Sequence, residues 1–179
     1  LVNYGNKSEK EQIGALLEVW KQIPTDSYAK IEKVEFEGAL TSETLKTFNM
    51  AKCIQLENGE RGLHRYITSN SQSMLHMFEV FTLALFSGWT LEELTLDITP
   101  LFETIEDLEN AYGIMDALYA HPVYAIHLAK RGKKQHIMLG FSDGTKDGGY
   151  LMANWAIFKA KERLTEVSRR YNVTAIFFD

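Results

Sequence analysis

Four short apolar runs, at 64–69, 96–102, 135–141 and 173–178, are separated by long stretches of helical pattern. That alternation constrains the fold more than any other feature. Strands joined by helices should pair in parallel, with right-handed crossovers. The spacing therefore predicts a helix-rich α/β fold of about four parallel strands. Chemistry in such folds gathers at the carboxyl ends of the strands. The polar residues expected there are Ser69 and Asn70, then Glu103, then Ser142, Asp143 and Lys146, then Asp179.

The third run leads into Gly140-Phe141-Ser142-Asp143-Gly144-Thr145-Lys146-Asp147-Gly148-Gly149. It reads as a buried strand, then a polar glycine-rich loop, then a helix from about Tyr150 to Arg170. Gly148 and Gly149 would let the backbone approach a ligand, and helix amides would face an anion held there. A phosphate-binding P-loop is excluded, because Thr145 stands where its second glycine belongs. An EF-hand fails as well: counting from Asp143, its twelfth position is Asn154 and not Glu. The plainer reading is a solvated loop with Asp147 capping the helix.

Elsewhere the local signals are conventional. Ser8-Glu9-Lys10-Glu11 forms a capping box ahead of Ile13, Leu16, Leu17 and Trp20, with Pro24 as the stop. A second helix is expected at about 42–56, with Leu45, Phe48, Ala51 and Cys53 among its apolar positions; Cys53 reads as a core thiol. The stretch 74–86 is apolar nearly all round and should be covered on more than one side. His76 within it reads as structural. Pro100 must sit near a strand end or where no ladder donor is needed. Thr104 starts a helix, and Lys130-Arg131-Gly132-Lys133-Lys134 reads as a solvated turn.

A net charge of -5 argues against nucleic acid as the main partner. No apolar run approaches transmembrane length, so no membrane partner is expected. One cysteine excludes an internal disulfide and suits a cytoplasmic location. Leu1-Val2-Asn3-Tyr4 does not read as a signal peptide, and an end directly after an apolar run suggests an excised fragment. Glu103 and Asp143, from adjacent strand ends, make a plausible oxygen pair for Mg²⁺ or Mn²⁺. The alternative is that Glu103 caps a helix and Asp143 merely ends a strand.

Two segments resemble phosphoenolpyruvate carboxylase. Residues 99–108, Thr-Pro-Leu-Phe-Glu-Thr-Ile-Glu-Asp-Leu, are similar to its Pro-Leu-Phe-Glu-Thr-x-x-Asp-Leu segment. Residues 140–149 are similar to its Gly-Tyr-Ser-Asp-Ser-x-Lys-Asp-x-Gly segment, with Phe141 and Gly144 as departures. The order and separation of the two also match. Likeness extends over 63–179 and is loose before that.

The resemblance implies a partial (β/α)8 (TIM-type) barrel. Residues 1–62 would form a helical leading segment and 63–179 a barrel segment, within a single structural unit. It implies a homotetrameric parent that joins phosphoenolpyruvate to bicarbonate, through carboxyphosphate and an enolate, to give oxaloacetate and phosphate. Glu103 and Asp143 would bind the metal that stabilises the enolate. Lys146 would be catalytic and bind bicarbonate, with Ser142 also on the substrate. Asp179 stands where the family has His, and the family's glycine-arginine loop, its catalytic His and an early-strand arginine lie outside these residues, so the chain alone is expected to be inactive. An open half-barrel should self-associate or cover its gap. The rival readings are another metal-dependent lyase of the phosphoenolpyruvate/pyruvate barrel type, or a doubly wound binding module with a strand-order switch point.

Overall fold

The computed structural model describes residues 3–23 and 39–179, with side chains from 42 onward in the second stretch. Leu1, Val2 and the Pro24 stop fall outside the described residues. The elements are α1 (Glu9–Trp20), α2 (Ala39–Asn58), β1 (Arg65–Thr68), α3 (Met74–Phe86), β2 (Asp97–Phe102), α4 (Ile105–Ala120), α5 (Pro122–Lys130), β3 (Lys134–Leu139), α6 (Phe141–Arg170) and β4 (Thr174–Phe178).

Two compact units are present, 1–64 with 78–96, and 65–77 with 97–179. In the first, Ser8 donates its amide to the Glu11 carboxylate at 2.9 Å, closing the anticipated box at the start of α1. Trp20 stacks on Phe78, with ring centres 5.6 Å apart, and its indole N–H donates to Thr82 at 2.7 Å. A buried indole needs such an acceptor. Leu45, Phe48 and Ala51 bury one face of α2. Cys53 is exposed and is no core thiol. Two residues beyond Ala51 lie about 200° around a helix, which turns the thiol outward.

The second unit holds one sheet in the order β1-β2-β3-β4, every pair parallel. The order has no switch point, so it is the strand succession of a barrel segment and not of a doubly wound sheet. Pro100 pairs with Thr68 in the last step of the β1–β2 ladder, while the β2–β3 ladder begins only at Leu101. Its missing N–H is thus accommodated where one ladder ends and the next starts.

Ile98, Phe102, Ile137 and Leu139 alternate onto one buried face of the sheet. Helices α4 and α6 pack together along their lengths. Ala153, Ala156 and Ala160 are buried on α6, and Ala111 is buried on α4. Small side chains at helical spacing let two helices approach closely. Arg163 and Arg170 then lie over the Tyr112 ring from the α6 side, 5.2 and 5.6 Å from its centre.

Two readings of the loops need correction. Arg131 is not part of a solvated turn: its Nε donates to Asp97 at 2.6 Å, and only 13% of its side chain is exposed. The turn folds back over the start of β2, so one of four neighbouring cations finds a carboxylate distant in sequence. More consequentially, the glycine-rich stretch after β3 is helical. α6 starts at Phe141 and not at Tyr150. It is interrupted only at Gly149, with φ 78° and ψ 166°. That conformation is open essentially to glycine alone.

Candidate active site

The carboxyl ends of β1, β2 and β3 are stitched into one rim. The Ser71 amide donates to Leu101 O at 3.3 Å, and the Asn70 amide donates to Glu103 Oε2 at 3.0 Å. Asn70 has φ 50°, a left-handed turn that aims its N–H across to the neighbouring strand end. On the other side, Gly140 N–H donates to Phe102 O at 2.8 Å. Leu101 and Phe102 are in register with Met138 and Leu139, so Glu103 stands opposite Gly140. Asp143 follows one helical turn later.

Gly140 is required to be small. A Cβ there would come within 3.1 Å of Glu103 Cα and 3.3 Å of Phe102 O. Thr104 caps α4 reciprocally with Asp107: Asp107 N–H donates to Thr104 Oγ1 at 3.1 Å, and Thr104 N–H to Asp107 Oδ2 at 3.0 Å. This box frees Glu103 from the capping role that was its alternative.

Asp143 and Lys146 lie one turn apart on the first turns of α6. Their oxygen and ammonium are 2.7 Å apart, with side chains half and three-quarters exposed. The hydrogen bond and charge of Asp143 hold the Lys146 ammonium above its usual range of basicity, so it stays cationic at neutral pH. Asp143 also sits where the positive end of the helix favours an acid. Ser142 is exposed beside it. Asp147 does not cap its own helix: its Oδ2 accepts the amide of Ile105, the first residue of α4, at 3.0 Å. Nothing local in the sequence signals that partner, 42 residues away. Ser69 and Asn70 are exposed at the β1 end, and Asp179 is exposed beyond β4.

No group of three His, Cys, Asp or Glu able to hold a metal ion occurs among the described residues. The donor set at the rim is nevertheless of the right kind for a hard divalent cation. Glu103 and Asp143 offer carboxylate oxygens, and such ions keep water or substrate in their other positions. Asp143 already carries a cationic group, the Lys146 ammonium.

The family model for phosphoenolpyruvate carboxylase matches residues 1–179, the whole chain. The chain belongs to the phosphoenolpyruvate carboxylase family. It is 39% identical over 145 residues to the phosphoenolpyruvate carboxylase of Gloeobacter violaceus, covering 79% of this chain and 15% of that protein. Identity to the phosphoenolpyruvate carboxylase of Rhodothermus marinus is 42% over 146 residues, covering 74% of this chain and 15% of the relative. That of Azoarcus sp. (strain BH72) is likewise 42% identical over 137 residues, with shares of 75% and 15%.

The chain thus spans about 15% of the length of the curated relatives it matches. Family membership reaches further back than the sequence motifs suggested. The match includes the helices before β1, where likeness to the phosphoenolpyruvate carboxylase pattern is loose.

Proposed function

We propose that this chain supplies part of the catalytic rim of an enzyme that carboxylates phosphoenolpyruvate with bicarbonate, giving oxaloacetate and phosphate. The reading rests chiefly on one juxtaposition. Glu103 at the end of β2 lies beside the helix that carries Asp143 and Lys146 at the end of β3. In the proposed reaction, a bicarbonate oxygen attacks phosphorus and the bond from phosphorus to the enol oxygen breaks. The resulting carboxyphosphate yields phosphate and carbon dioxide, and the enolate carbon attacks the latter. Glu103 and Asp143 would hold Mg²⁺ or Mn²⁺, which when bound supplies positive charge for anionic oxygens. Lys146, cationic and exposed, would orient bicarbonate as a point charge. The Ser142 hydroxyl would donate to the same anion.

Lys146 holds Asp143 through Oδ1, so a metal ion taken through Oδ2 would leave the ammonium beside it. The parent would be a homotetramer that works in the cytoplasm and feeds oxaloacetate to the tricarboxylic acid cycle. No helix among the described residues is long and apolar enough to cross a membrane. The isolated chain brings two carboxylates and one lysine to the rim, and by itself would not turn over.

A coupled oxaloacetate assay tests the reading. In the parent enzyme, Glu103→Gln, Asp143→Asn and Lys146→Ala should each lower bicarbonate-dependent phosphate release by about a hundredfold or more. Full activity in all three would refute the assignment, and clear turnover by the isolated chain would refute its incompleteness.

A further inference from the structure

We infer that Asp147 is a positioning residue that clamps the helix bearing Asp143 and Lys146 onto the turn bearing Glu103. The inference rests on the proposed roles of those three residues, and adds one that motif and charge do not assign.

Three glycines at four-residue spacing, the N-cap Gly140 and then Gly144 and Gly148 in the first turns of α6, fall on one side. All three face the β2–α4 turn. A Cβ on Gly140 would meet Glu103 Cα at 3.1 Å. On Gly144, which is buried, it would meet Glu103 O at 3.5 Å. On Gly148 it would meet Ile105 Cγ1 at 3.0 Å, too close to be accommodated without movement. The bare helix face therefore lies directly on the Glu103 backbone and, at Gly148, on the Ile105 side chain.

A glycine face permits such an approach but does not direct it. Direction comes from Asp147, whose Oδ2 accepts the Ile105 amide at 3.0 Å. That N–H belongs to the first residue of α4 and has no partner within its own helix. The bond crosses from the segment carrying the lysine to the segment carrying the other acid. It joins them two residues from Glu103 and one from Lys146. Directly beyond it, Gly149 departs from helical geometry, with φ 78° and ψ 166°. The short helix 141–148 is thus set off from the rest of α6 by a break and pinned just before it. Side chains that orient metal ligands from outside the coordination sphere commonly change metal affinity about 10- to 100-fold when removed.

The test is made on the intact parent enzyme, with Mn²⁺ binding read by electron paramagnetic resonance and with steady-state kinetics. Asp147→Ala should weaken Mn²⁺ binding about tenfold and raise KM for bicarbonate by a similar factor, with a smaller effect on kcat. Asp147→Asn keeps an oxygen that can accept the Ile105 amide and should stay within about twofold of the parent on both. Unchanged Mn²⁺ affinity and KM in Asp147→Ala would overturn the inference, as would an Asn variant as impaired as the Ala variant.

Should Asp147→Ala not fold, Gly148→Ala gives the same test by crowding Ile105. Adding Ile105→Ala should restore Mn²⁺ binding, and failure to do so refutes the clamp. If Glu103→Gln and Asp143→Asn leave Mn²⁺ binding intact, the metal assignment itself is wrong. The clamp would still stand or fall by hydrogen exchange: the Ile105 amide should lose protection in Asp147→Ala and keep it in Asp147→Asn.

Discussion

Glu103 accepts the Asn70 backbone amide through Oε2 at 3.0 Å, so the residue proposed to bind the metal also joins two strand ends. Its two duties are separable. Glu103→Gln keeps an oxygen for that amide and should change stability by less than about 0.5 kcal/mol, while Glu103→Ala should cost about 1 kcal/mol. Urea unfolding measures both. Mn²⁺ affinity should fall in both, because either change removes the charge.

Glycine substitutions should have opposite signs at two sites. Gly113, in the middle of α4, would have no neighbour within 4 Å of an added methyl group, so Gly113→Ala should stabilise by about 0.5–1 kcal/mol. Gly140→Ala must displace the Glu103 backbone at 3.1 Å and should destabilise by about 1–3 kcal/mol. Denaturant midpoints of the two variants on either side of the parent would bear this out.

The ion pair between Arg131 and Asp97 is largely shielded, with side chains 13% and 11% exposed. His136 approaches the same carboxylate at 3.6 Å. Removing one partner strands the other, so Asp97→Ala should cost about 3 kcal/mol in chemical denaturation. The exposed pair Lys21–Glu18 is the control: Glu18→Ala should change stability by less than about 0.5 kcal/mol.

Burial pushes the phenols of Tyr119 and Tyr124 well above their usual range. Both are therefore neutral in the folded chain at a pH where an unfolded tyrosine ionises. Their contribution is complete below about pH 10 and is lost as pH rises beyond it. Urea midpoints should fall steeply between about pH 10 and 11, and Tyr119→Phe should flatten that slope. An unchanged slope would locate the alkaline sensitivity elsewhere.

Self-association of the isolated chain follows from what it leaves uncovered. Leu151, Trp155 and Phe158 are 82%, 56% and 57% exposed on α6, and Ile67 is 46% exposed on the edge strand β1. Light scattering should give a mass above the 20.5 kDa of one chain, lowered by Trp155→Glu. A single-chain mass at micromolar concentration would contradict it.

Much of this molecule was determined by its sequence alone. Apolar runs of strand length separated by helical patterns dictate a parallel sheet, because only helical crossovers return the chain in the same direction. Thr104 with Asp107, and Ser8 with Glu11, announce helix starts through bonds that span three residues. The two family-like segments fall at adjacent strand ends for the same reason. Tertiary structure alone decided the rest. Residues 141–148 read locally as a loop, since glycine and aspartate are poor helix formers. They are helical where a bare glycine face lies against Glu103 and Ile105, and where Asp147 finds an amide on another helix. Arg131 becomes shielded because a carboxylate remote in sequence, Asp97, meets it, which no local pattern encodes.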